Sequence, residues 1–250
     1  MAGKGYKGKT CAYCGIDGIS STADHVIARA FFLLEDRAHL PQVPACSDCN
    51  SKKSALEVYV SAILPIASRH EDADKFQRDF VRKRIENNAK LQRDLRLDDP
   101  PQMVNIGGLI RPMHPIRIDA VKITGLMHMI LQGLFYFHFG RPLSGDYYPD
   151  VLMLHNDAQA AFVASMSPYL DGGENREVNL GRGSFAYRYV RSPAYPDVTL
   201  WNFFWHNGVP LHGSDGIGAN HWWGVTRPRT ETVAREKIKQ ARGSSSEQFE

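Results

Sequence analysis

No cysteine follows position 49 in this 250-residue chain, and no apolar stretch runs uninterrupted for the length a bilayer requires. The nearest approach, "VKITGLMHMILQGLFYFHF" from Val121 to Phe139, is broken by Lys122, His128, Gln132 and two glycines, which suits a buried core helix rather than a span. The opening residues "MAGKGYKGKT" carry lysines without the apolar centre of a secretory signal, so the expectation is a cytoplasmic protein with no membrane partner. An internal repeat is also lacking. Nor is there a strong excess of one charge: the formal value of +3 permits a nucleic-acid partner without demanding one. With 43% apolar and 23% charged residues, the chain has ordinary globular composition and enough length to bury a substantial core.

The cysteines that are present cluster as two CxxC pairs, "CAYC" with Cys11 and Cys14 and "CSDC" with Cys46 and Cys49. In an exported chain an even count suits disulfides, and isolated CxxC pairs can also be redox motifs or unrelated buried thiols. In a reducing compartment, paired CxxC turns can aim four thiolates at one point. That is the closed tetrahedral arrangement of structural Zn²⁺.

Between the pairs, "STADHVIARAFF" sets Asp24 beside His25, and Asn50 directly follows the last cysteine. An Asp-His dipeptide alone is an ordinary loop or helix cap. A zinc staple would bring Asn50 near the Asp-His segment. Lys52 and Lys53 then read either as a solvated first helical turn or as phosphate contacts, with a bound phosphate offsetting the unfavourable placement of lysine at a helix start.

From residue 11 to about 60 this pattern resembles the HNH endonuclease family, in the branch with a four-cysteine staple. The resemblance implies a ββα-metal module in which Asp24 and Asn50 hold one divalent cation, Mg²⁺ or Mn²⁺, and His25 is the general base. Lys53 matches the lysine of the family's "CNxxK" ending, and Lys52, Lys53 and Arg29 become candidate DNA-binding residues. Two positions depart from the family. The central polar column falls on Pro41, leaving His39 as the nearest candidate for orienting the base, and Ala28 stands where proline is frequent. The residue types suit phosphodiester hydrolysis: a neutral imidazole with an ordinary pKa of about 6.5 accepts a proton from water, while hard oxygens hold a cation that neutralises phosphate charge.

The remainder is expected to be α+β, giving a zinc-bearing ββα HNH module followed by a mixed helical and β-rich C-terminal domain. "SALEVYVSAILP" predicts a helix from about Ser54, and "DADKFQRDFVRKRIENNAKLQRDLR" a second, basic amphipathic helix. "LRLDDPPQ" reads as a linker, with strands beyond it around "MVNIGGLI" and "PIRI", a helix from Asp119, and a strand in "SFAYRYVR" whose Phe185, Tyr187 and Tyr189 share one face. All four tryptophans lie in "TLWNFFWHNGVPLHG" and "NHWWGV" with His206, His212 and His221, which suits a core cluster or a base-stacking platform but no second metal site. The expected layout is residues 1–66 as the HNH module, 67–100 as a helical connector, 101–232 as the α+β domain, and 233–250 as a C-terminal helix and disordered tail. The functional expectation is an endonuclease cutting double-stranded DNA, by analogy in restriction or phage defence. The rival is a catalytically decayed zinc module that binds nucleic acid or protein.

Overall fold

The computed structural model describes residues 5–67, 73–113, 118–154, 156–205, 211–212, 218–219 and 221–229. Its first elements are two short antiparallel strands, β1 (Thr22–His25) and β2 (Gln42–Ala45), with Asp24 opposite Val43 and His25 opposite Gln42. Helix α1 (Ser47–Ile63) follows at once, earlier than the apolar stripe predicts. The reason is Cys46, whose sulfur accepts the Cys49 N–H as an N-cap, so that the second CxxC forms the first turn of the helix.

The expected second helix is instead a series of pieces: α2 (Ala73–Phe76), a π segment (Gln77–Val81), α3 (Arg82–Glu86) and α4 (Ala89–Leu95). Asparagine accounts for the last break. The Asn88 side chain accepts the Leu91 N–H and caps α4, a role that suits asparagine better than a helix interior. Strands β3 (Gln102–Ile106) and β4 (Leu109–Met113) form an exposed hairpin across Gly107 and Gly108, whose φ values of 59° and 88° the two-residue turn requires. The "PIRI" segment lies almost wholly outside the described residues, as do His206 and the 233–250 tail; of His212 and His221 only the backbone is described.

At the centre is α5 (Ala120–Phe139), started by the Asp119 carboxylate, which accepts the N–H groups of Val121 and Lys122, and stopped by Gly140 at φ 69°. By length and composition it could cross a membrane, yet Ile123, Leu126, Met127, Ile130, Leu131, Leu134 and Phe135 are buried in the core, at about 1.5–3 kcal/mol each for such side chains. Against it pack α1, β2 and the strand β5 (Tyr147–Leu154). Gly133 is what lets the hairpin module seat closely: a Cβ there would stand 2.8 Å from Val26 Cγ1.

The five-stranded antiparallel sheet adds β6 (Glu174–Leu180), β7 (Phe185–Arg191), β8 (Thr199–Trp205) and β11 (His221–Pro228) in the order β5-β11-β8-β7-β6. A short pair, β9 (Leu211–His212) and β10 (Gly218–Ala219), lies outside it. Phe185, Tyr187, Tyr189, Trp201, Phe203 and Trp205 bury one face in the main core, and Arg188 is exposed on the other, as the alternation in "SFAYRYVR" predicts. Helix α6 (Asn156–Leu170) covers part of that second face through Phe162, Met166 and Leu170, against Leu200 and Trp223. The described tryptophans are thus core residues. A single apolar cluster runs from Cys11 through α1 and α5 to Trp222, joining the N-terminal segment to the sheet.

Candidate metal centre and basic cleft

Four cysteine sulfurs, from Cys11, Cys14, Cys46 and Cys49, lie within 4.8 Å of one another, and none is in a disulfide. The Ala12 N–H donates to the Pro44 carbonyl at 2.9 Å, tying the first CxxC turn to β2, while the Cys46 N–H points at Cys11 Sγ from 3.4 Å. For Cys11, burial alone would raise the thiol pKa, but backbone N–H groups of the neighbouring turns outweigh it and lower the value. At Cys49, burial and the crowding of the other sulfurs push it up. Four clustered sulfurs can all be thiolates only beside a cation, and an all-sulfur tetrahedral set suits structural zinc.

Strand alternation separates the Asp-His pair. Asp24 turns into the protein, 8% exposed, where its Oδ2 accepts the Tyr13 hydroxyl and lies 3.0 Å from Lys53 Nζ. Lys53, expected at the phosphate, is fully buried: its ammonium donates to the His25 carbonyl at 2.7 Å and to the Glu57 carboxylate. An ammonium held by three protein oxygens beneath the surface does not reach a nucleic-acid backbone, so that assignment is corrected. Burial and the Asp24 charge raise the Tyr13 phenol well above its ordinary range, keeping it a donor, and burial raises Glu57. Lys52 is exposed, and Asn50, half-buried, sits one turn before Lys53 on the same helical face.

The His25 ring lines the opposite side, in a cleft of about 560 Å³ formed by Thr22, Ala23, His25, Arg29, Arg37, His39, Leu40 and Gln42. Among the described residues its titratable lining is two arginines and two histidines, with no carboxylate. Across the hairpin, Gln42 Nε2 lies 2.8 Å from His25 Nε2, so Gln42 rather than His39 is bonded to the ring. Burial and then the Arg29 charge push the His25 pKa below 6.5, and burial and the same arginine lower Arg37. The cleft therefore gathers positive charge that an anion would relieve. Comparison with protein-family models, curated proteins and solved structures gives no match.

The loop that carries the cleft's cations is fastened to the C-terminal sheet. Arg29 begins a single 3₁₀ turn (Arg29–Phe31), whose Phe31 packs on Trp205 with ring centroids 4.6 Å apart. Farther along, Asp36 accepts two hydrogen bonds from Arg182 at 2.9 and 3.0 Å. Arg37 donates to the Phe32 carbonyl at 3.1 Å and lies over the Phe80 ring. His39 adopts φ 57°, an uncommon backbone for a residue with a side chain, at the turn into β2. Arg37 and Gln42 escaped the motif comparison; the hairpin register would have pointed to Gln42, since β2 begins opposite His25.

Proposed function

We propose that the chain is an HNH-type phosphodiester hydrolase acting on DNA, with the cleft around His25 as its active site. The observation that carries this reading is the cleft's lining of Arg29, Arg37, His25 and His39 without an acidic side chain, which suits a polyanion and puts a histidine against it.

In the proposed reaction His25 takes a proton from the attacking water. Its depressed pKa keeps the ring neutral at pH 7, and the Gln42 side chain holds Nε2. The Gln42 amide nitrogen donates to Nε2, so the neutral ring carries its proton on Nδ1, and Nε2 is the lone pair that takes the proton once the amide gives way to the attacking water. Arg29 and Arg37 would bind and orient the phosphate.

Asp24 and Asn50 are the oxygen donors suited to a divalent cation such as Mg²⁺ or Mn²⁺. Charge favours a cation there, since Lys53 is neutralised by Glu57 as well as Asp24 and the three groups sum to one negative charge, but position does not: Asp24 turns away from the cleft, its Oδ2 accepting from Tyr13 and facing Lys53, and neither it nor Asn50 lines the cleft. Lys53 becomes a positioning residue for both Asp24 and the His25 backbone. The four-cysteine site would hold structural zinc and take no part in chemistry. A role in restriction or phage defence rests on family analogy alone.

Incubating the purified chain with supercoiled, linear and single-stranded DNA, with Mg²⁺, Mn²⁺ or a chelator, tests the reading. Metal-dependent strand scission is the expected result, and intact DNA under every condition would remove the nuclease assignment.

A further inference from the structure

A second cleft lies on the sheet face that α6 only partly covers. Glu177 of β6, Arg188 of β7, Asn202 of β8 and Trp223 of β11 stand directly opposite one another in successive strand pairs, so they form one row across one face. All four line a cavity of about 510 Å³, with Arg176 at its rim and Val163 of α6 on its wall, a volume within the usual range of small-ligand sites.

The floor of this cavity differs from its rim. Asn202 is 1% exposed and Trp223 is 6% exposed, whereas Arg188, Arg176 and Glu177 are open to solvent. Asn202 uses its Nδ2 on the Trp222 carbonyl, but among the described residues its Oδ1 has no hydrogen-bond partner, and neither has Trp223 Nε1. Buried polar atoms are almost always paired, so a neighbouring acceptor and donor left over at one cleft mark a place where a ligand completes the bonding. They also limit what it can be. A hydrocarbon satisfies neither atom, and a bare phosphate or carboxylate offers no donor to Oδ1. A planar ring edge with adjacent donor and acceptor satisfies both. At the rim, Arg188 is the guanidinium that faces this row, because Arg176 stands opposite Tyr189 and takes the other face, so the site suits at most a single phosphate.

The geometry points to a nucleotide-binding site, with the base edge at Asn202 and Trp223 and the phosphate at Arg188. This site is distinct from the cleft at His25 and does not depend on the hydrolase reading. The shared chemistry is one nucleotide unit, which can come as a free monophosphate or as a residue of an unpaired strand.

The test is calorimetric titration of the full zinc-loaded chain, without other divalent metal, using the four deoxynucleoside 5′-monophosphates and a short single-stranded oligodeoxynucleotide. Saturable binding is expected, weakened about tenfold both by Trp223→Phe, which keeps the ring but removes the donor, and by Arg188→Gln. Binding of a monophosphate identifies the free ligand, and binding of the oligonucleotide alone identifies the strand. Should Trp223→Phe lower the melting temperature sharply, the exposed Arg188→Gln carries the comparison. The proposal is overturned if no probe binds at millimolar concentration, if a folded Trp223→Phe or Arg188→Gln binds as the wild type does, or if Arg29→Ala abolishes binding that Arg188→Gln leaves intact.

Discussion

Lys53 Nζ lies 3.0 Å from Asp24 Oδ2, so an α1 side chain read as a phosphate ligand is instead the buried counter-ion of the acid beside His25. Its fully buried position makes the pairing a structural commitment, because removing one partner leaves uncompensated charge in the interior. Lys53→Met should therefore lower the unfolding free energy by roughly 3–5 kcal/mol in urea denaturation. In a variant still folded, the salt dependence of DNA binding should stay as in the wild type. A shallower salt slope would return Lys53 to the phosphate.

Arg29 should behave oppositely. It is exposed at the basic cleft, so Arg29→Ala should weaken DNA binding equally across sequences and reduce the slope of log affinity against log salt by about one, with the melting temperature nearly unchanged. Fluorescence anisotropy over a salt series checks both statements.

Cys46 serves twice, as one sulfur of the four-cysteine cluster and as the N-cap of α1. Cys46→Ser keeps a capping oxygen but removes a thiolate, so the variant should lose its zinc and its folded N-terminal segment even though the new hydroxyl can still cap the helix. Elemental analysis with circular dichroism measures this. One zinc per chain and an unchanged melting curve would contradict the site.

How much of this was legible depended on whether the signal was local. The cysteine spacing announced its cluster, and alternation in "SFAYRYVR" placed Tyr187 and Tyr189 inside and Arg188 outside, because each pattern repeats within a few residues. The fate of Lys53 was not readable, since Asp24 reaches it only after β1 packs on α1, although Glu57 stands one turn along the same helix. Arg37 and Gln42 were missed for the same reason: the cleft joins a strand end to a loop, and its geometry is set by Phe31 against Trp205 and Asp36 against Arg182, contacts that span most of the chain. The start of α1 was misjudged because the apolar stripe begins later than the Cys46 cap.

His138 supplies a pH test independent of function. Burial, reinforced by the Arg176 charge and opposed by Glu174, lowers its pKa to about 4, and its ring bonds to the Tyr187 hydroxyl at 2.9 Å. The unfolded side chain titrates near 6.5, so between those values the unfolded chain binds a proton that the folded chain refuses. Its stabilising contribution is present above pH 6.5 and is lost as pH falls toward 4. His25 and His128 are shifted in the same direction and add to the wild-type slope. His138→Leu should thus show a smaller loss of stability across this window, whatever its stability at pH 7. Equal slopes in urea titrations at each pH would refute the assignment.

The central claim, that His25 performs proton transfer in the basic cleft, is tested most directly by the single-turnover scission rate of His25→Ala on supercoiled plasmid with saturating Mg²⁺. The variant should keep its zinc, its melting temperature and its DNA affinity while the rate falls by roughly 10² to 10⁴, the usual contribution of a positioned general base. Cleavage by His25→Ala at the wild-type rate would contradict the account.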